Sequence, residues 1–180
     1  AKAKAEAILA EVKKAPADKD AAEEAAFSGA RIALARLAHA QVNMRSDLAE
    51  AVRNATRAAA LFESLGDTVQ QGRALHVRSS ALWASDQAAL SKQAAGAALA
   101  LARRCGDLLG QGSALNSLAL CEADLAQDLR LFGQSLDAYR SAGYVLSQAS
   151  ATGNLGATYG DLGLFRHARR GQQAEQRRRD

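Results

Sequence analysis

Apolar residues recur along most of this chain at the spacing of one face of an α-helix. Leu115, Leu118, Ala119 and Leu125 follow the pattern i, i+3, i+4 and i+10, with Glu122 at i+7 as the polar exception. Breaks in this pattern divide the chain into helices. We predict helices at 3–14, 20–44, 47–64, 68–84, 87–104, 108–125, 128–141, 145–161 and 164–178.

The breaks between the predicted helices repeat along the chain. Gly66, Gly106 and Gly143 lie 40 and 37 residues apart, within similar segments. The first two are followed by Asp, which suits a corner: glycine in the left-handed conformation ends one helix, and the Asp side chain caps the next. A second break falls near the middle of each unit, at 46–47, 85–86, 126–128 and 162–163. The sequence predicts a single domain, 1–180, with a leading helix within 1–16 and helix pairs at 20–65, 66–105, 106–142 and 143–178.

Helix pairs that repeat at a near-constant period bury their apolar faces by stacking on one another. We therefore predict an all-α fold, a right-handed α-solenoid of about four antiparallel helix pairs plus a leading helix, with one concave side. A compact bundle of unrelated helices is the alternative. Composition excludes a sizeable sheet, because the chain has 44 Ala and 24 Leu but only eight Val and Ile together. The one proline, Pro16, leaves the rest of the chain free to form long helices.

The last unit carries a motif, running from Asn154 to Gly163 with a small residue, Ala168, further on. Its Leu155-Gly156 pair followed by Tyr159 resembles the tetratricopeptide repeat (TPR). At the equivalent positions the earlier units have Leu118-Ala119, Arg78-Ser79 and Ala38-His39, so the likeness is weaker there. The resemblance spans about residues 20 to 178. The repeated sequence is also similar to helical arrays of bacterial signalling proteins. That resemblance implies a neighbouring transcription-factor or nucleotide-cyclase module.

The net charge of +4 is concentrated at the carboxyl end. Residues 165–180 contain six Arg and two acidic residues, and the first 164 residues are neutral overall. A neutral body argues against a broad nucleic-acid surface. We predict a cytoplasmic protein without a membrane contact, because no apolar run could span a bilayer and no signal peptide opens the sequence. The Arg-rich tail is interpreted as a solvated helix, a linker to a further domain, or a contact with nucleic acid or acidic lipid. A homodimer through 164–178 also stays open.

No group of titratable residues predicts an enzyme. His39, His76 and His167 lie in three different units without the spacing of a metal site. Gly110 and Gly112 do not follow the strand that a phosphate-binding loop requires. We therefore expect no catalytic residue, no metal and no cofactor.

Helical phase predicts which residues line the concave side. If Leu155 and Tyr159 face the partner helix, the opposite face of each first helix lines a groove. The candidate groove residues are Arg36, Asn43, Met44, Arg73, His76, Trp83, Asn116, Leu120 and Asp124. Arg36, Arg73 and His76 would make one half of this groove positive, which predicts an acidic or carboxylate-ended peptide. Trp83, the one tryptophan, is either a binding anchor or a side chain that fills the gap beside Arg78-Ser79.

Together these features predict a protein–protein interaction or scaffold module. It would bind a peptide or a partner domain in its groove, as a fragment of a larger bacterial regulatory protein. The alternative is a ligand-sensing regulatory domain, whose pocket holds a small molecule and controls a fused output domain such as a transcription factor or a nucleotide cyclase.

Overall fold

The structure, a computed structural model, describes residues 19–161 and Gly163. Over these residues the chain forms seven α-helices and no strand, which confirms the all-α class. The helices are α1 (Lys19–Asn43), α2 (Leu48–Ser64), α3 (Thr68–Ala84), α4 (Ala88–Cys105), α5 (Leu108–Leu120), α6 (Leu125–Ser141) and α7 (Val145–Asp161). The predicted helices 3–14 and 164–178 lie outside the described residues.

Glycine forms the predicted corners after α2, α4 and α6. Gly66, Gly106 and Gly143 have φ angles of +71°, +70° and +74°, in the left-handed region that favours glycine. Asp67 and Asp107 then cap α3 and α5. Each accepts a hydrogen bond at 3.0 Å from the backbone N–H three residues further on. The glycine–aspartate pairs therefore act as the sequence predicted.

The corner between α5 and α6 differs from the prediction. α5 ends five residues earlier than expected, and the predicted break at 126–128 lies inside α6. Asp124 caps α6 by accepting the N–H groups two and three residues after it, at 2.8 and 3.0 Å. Asp128, which belongs to the predicted break, is instead buried within α6 and accepts a hydrogen bond from Thr158 of α7 at 3.0 Å.

The helices pack against their neighbours in sequence, and the odd-numbered helices also contact each other. α1 packs on α3 and α3 on α5, while Asn154 of α7 donates a hydrogen bond to Asn116 of α5 at 3.0 Å. Buried apolar residues form clusters in the same order, joining α1 to α3, α4 to α6, and α6 to α7. α1, α3 and α5 consequently stand side by side and share one face.

Small side chains let these helices approach closely. Among the described residues, 15 of the 26 buried hydrophobic ones are alanines. Where α3 crosses α4, the fully buried Ser79 and Ser91 each donate a hydrogen bond to the other's backbone carbonyl, at 3.0 and 2.9 Å. This crossing includes Arg78-Ser79, which stands where the last unit has Leu155-Gly156, and the reciprocal hydrogen bonds hold the two helices together.

Candidate functional site

A cleft of about 250 Å³ opens on the face that α1, α3 and α5 share. The carboxyl end of α1 contributes Met44, the residue that follows the helix. α3 and α5 contribute the other lining residues, which are His76, Ser79, Ser80, Trp83, Ala84, Asn116, Ser117 and Leu120. Five of the nine predicted groove residues therefore meet here, namely Met44, His76, Trp83, Asn116 and Leu120.

The spacing of residues on α3 explains why one wall of the cleft comes from this helix. His76, Ser80 and Trp83 stand at i, i+4 and i+7, so one face of α3 carries all three. The opposite side of α3 holds the buried Ala74 and Ala81. Because α3 buries Ala74 and Ala81 on one side, its other side directs His76 and Trp83 into the cleft.

Trp83 joins α3 to α5. Its indole N–H donates a hydrogen bond to the backbone carbonyl of Leu120 at 3.1 Å, at the end of α5. The residue nevertheless stays 47% exposed. With its one donor engaged, Trp83 offers the cleft an aromatic ring rather than a polar group.

His76 is held on the cleft by α5. Its Nδ1 lies 3.2 Å from the hydroxyl oxygen of Ser117, and that hydroxyl donates its one proton to the backbone carbonyl of Ser113 at 3.2 Å. The Ser117 oxygen therefore accepts a hydrogen bond from Nδ1–H of His76. Burial lowers the pKa of His76 from 6.5 to about 4, because the protonated ring would lose its hydration. His76 is consequently neutral at pH 7. The prediction that it adds positive charge to the groove was therefore wrong.

Asn116 connects the cleft to α7. Its Oδ1 accepts a hydrogen bond from the side-chain amide of Asn154 at 3.0 Å. With Oδ1 engaged in this way, the N–H groups of the Asn116 side chain remain as donors, and Asn116 also lines the cleft.

The other four predicted groove residues lie outside the cleft lining. Arg36 donates a hydrogen bond to Asn54 of α2 at 3.3 Å. Asn43 closes the corner after α1, where its carbonyl accepts the N–H groups of the third and fourth residues after it. Arg73 is exposed on α3, and Asp124 caps α6. The structure therefore does not gather the predicted positive charges of the groove around the cleft.

Helical phase also assigns Ser80 and Ala84 to the groove face of α3, and both line the cleft. The sequence analysis missed the remaining two lining residues, Ser79 and Ser117. The TPR-like alignment assigns Ser79 to the contact within the helix pair, which it does make, but the cleft reaches down to it. Ser117 follows Asn116 at a rotation of about 100° and was placed off the groove. The repeat gave no signal for it, because a period of 40 residues pairs His76 with Asn116 and not with Ser117.

The lining of the cleft is partly polar but not charged. None of its nine lining residues carries a charge at pH 7, given a neutral His76. Within residues 19–161, no group of three or more His, Cys, Asp or Glu is placed to hold a metal ion. None of the described helices is long and apolar enough to cross a membrane.

Comparison with known proteins adds no family to this picture. No protein-family model matches the chain. A comparison with curated proteins finds no significant match.

Proposed function

We propose that this chain is a protein-interaction module whose cleft takes an apolar side chain from a peptide or partner segment. The cleft itself supports the proposal. Met44, Trp83 and Leu120 give it an apolar lining, and the half-exposed Trp83 is of a residue type enriched among binding anchors. The same cleft shows no pair of titratable groups for acid–base work, so we propose binding without catalysis.

The proposed architecture is a TPR-like right-handed solenoid of four helix pairs with a leading helix. Two observations support it. The glycine corners recur at the predicted period, and the odd-numbered helices stack on one another. The groove of such a solenoid would run along α1, α3 and α5. We propose that the module acts as a scaffold for signal transduction within a larger bacterial regulatory protein of the cytoplasm.

Acidic residues of the partner would bind beside the cleft rather than inside it. The cleft lining carries no cation, and Arg36 is engaged with Asn54. Arg73 is exposed one turn before His76 and could meet an acidic residue beside the anchor. We therefore propose an apolar anchor, with acidic residues confined to its flanks.

A ligand-sensing domain is the competing function. The cleft of about 250 Å³ is smaller than the roughly 300–1,000 Å³ typical of small-molecule sites, which favours a single side chain over a whole ligand. A panel of metabolites tested by thermal shift would distinguish the two functions, because only a sensor gains several degrees of melting temperature from a small molecule.

Selection from a displayed peptide library on the wild-type protein tests the interaction function. Peptides recovered in this way should share an apolar residue. Their affinity, measured by isothermal titration, should fall about 30-fold in Trp83→Ala, as expected of a central aromatic anchor.

Tyr144→Ala is the matched control, because Tyr144 is 48% exposed against 47% for Trp83 but does not line the cleft. Its peptide affinity should equal that of the wild type. Peptides that bind Trp83→Ala and the wild type equally would exclude the cleft as the binding site.

A further inference from the structure

We propose that the side chain seated in the cleft is an uncharged tyrosine of the partner. This inference rests on the proposed function and specifies which side chain the cleft binds. The aromatic ring would pack against Met44 and Trp83, and the phenol hydroxyl would reach His76 and Asn116. All four residues line the cleft.

The size of the cleft suits one aromatic ring with a substituent. An apolar cavity of about 150 Å³ is enough to hold benzene, and this cleft measures about 250 Å³. Trp83 presents its ring, because its N–H already bonds to the Leu120 carbonyl. Aromatic rings pack favourably on an indole and on a methionine sulfur, so Trp83 and Met44 favour a ring over an aliphatic chain.

The polar lining residues favour an occupant that carries a hydroxyl group. Ser117 contacts His76 through Nδ1, which leaves Nε2 for an occupant. Because Ser117 gives its proton to Ser113, Nδ1 carries the ring proton and Nε2 accepts a hydrogen bond. A phenol hydroxyl can donate to Nε2 and still accept a second hydrogen bond. Asn116 retains N–H donors that can also bind the phenol oxygen, since its Oδ1 is taken by Asn154.

The absence of charge in the lining excludes an ionised group. His76 is neutral at pH 7 because burial lowers its pKa, and the other eight lining residues are neutral by type. A phosphotyrosine or a carboxylate would lose hydration without gaining a countercharge, which is unfavourable. The cleft should therefore distinguish tyrosine from its phosphorylated form.

A titration of three blocked amino acids into the full chain tests this selectivity. The probes are the N-acetyl amides of tyrosine, phenylalanine and phosphotyrosine. The readout is the NMR signal of the indole N–H of Trp83, which the chain's single tryptophan makes unambiguous. Tyrosine should shift this signal with an affinity about tenfold higher than phenylalanine, because it adds one or two hydrogen bonds. Phosphotyrosine should cause no shift.

His76→Phe keeps a ring at the cleft but removes its polar nitrogen. In this variant the preference for tyrosine over phenylalanine should shrink toward one. If His76→Phe does not fold, the comparison of the three probes on the wild type decides the question by itself.

Three results would overturn the tyrosine anchor. Equal binding of phenylalanine and tyrosine, or stronger binding of phosphotyrosine, would show that the cleft takes an anchor of other chemistry and would leave the proposed function standing. No shift with any probe would also overturn it, and the library selection with Trp83→Ala would then decide the proposed function separately.

Discussion

Gly112 in α5 packs against a ring that has no room to move. A Cβ atom added at this position would lie 2.6 Å from Cδ1 and 2.7 Å from Cε1 of Tyr139 on α6. Tyr139 is 6% exposed, and its hydroxyl donates a hydrogen bond to Ser113 at 3.1 Å. Ser135 of α6 also donates to the Gly112 carbonyl at 2.7 Å, which holds the two backbones together. Gly112→Ala therefore forces a clash that the structure cannot relieve cheaply.

The size of the effect follows from two opposing terms. Overpacking a well-filled core costs about 1–3 kcal/mol. Replacing a mid-helix glycine by alanine returns about 1 kcal/mol of helix propensity. Gly133→Ala in α6 gains the same propensity without a clash, because nothing lies within 4 Å of its added Cβ. The difference in unfolding free energy between the two variants therefore measures the cost of the clash. We expect a difference of about 2–3 kcal/mol, because the hydroxyl of Tyr139 holds its ring in place.

Urea denaturation followed by circular dichroism gives this difference directly. Gly133→Ala should be slightly more stable than the wild type, and Gly112→Ala less stable. Adding Tyr139→Leu to Gly112→Ala should cost less than the two single changes predict, because the smaller side chain removes the clash. Equal unfolding free energies for Gly112→Ala and Gly133→Ala would refute the close packing of α5 on α6.

Three further predictions concern buried polar groups. His76→Gln should remove a pH dependence: the wild type should lose on the order of 3 kcal/mol of stability between pH 7 and pH 4, because the unfolded chain takes up a proton near 6.5 and folded His76 only near 4. Asp128→Asn should raise the urea midpoint at pH 7. Burial raises the pKa of Asp128 in the folded protein, so stability is lost as the pH rises from the unfolded pKa of this residue through its folded pKa, and Asn removes that loss. The oxygen of Asn still accepts from Thr158, and an unchanged midpoint would contradict this reasoning. Ser79→Ala and Ser91→Ala should each cost about 1 kcal/mol by the same assay and the double variant less than their sum, whereas full additivity would show that the two hydroxyls do not interact.

Much of the fold was predictable because its signals are local. A glycine followed by aspartate ends one helix and caps the next through atoms only a few residues apart, and the structure has this arrangement at Gly66-Asp67 and Gly106-Asp107. The prediction was wrong at residues 126–128 for the opposite reason. Asp128 is tolerated inside a helix because Thr158, 30 residues away, supplies a hydrogen bond.

Some features of the candidate site were likewise predictable from local sequence, and others were not. Helical phase alone assigned His76 and Trp83 to one face of α3, since that depends only on 3.6 residues per turn. The neutral state of His76 depends on the tertiary structure, because α5 and its neighbours remove the water around the ring. The tertiary structure also pairs Arg36 with Asn54, outside the cleft lining. Backbone preferences and periodicity are properties of nearby residues, whereas desolvation and pairing depend on atoms that only the packed helices bring together.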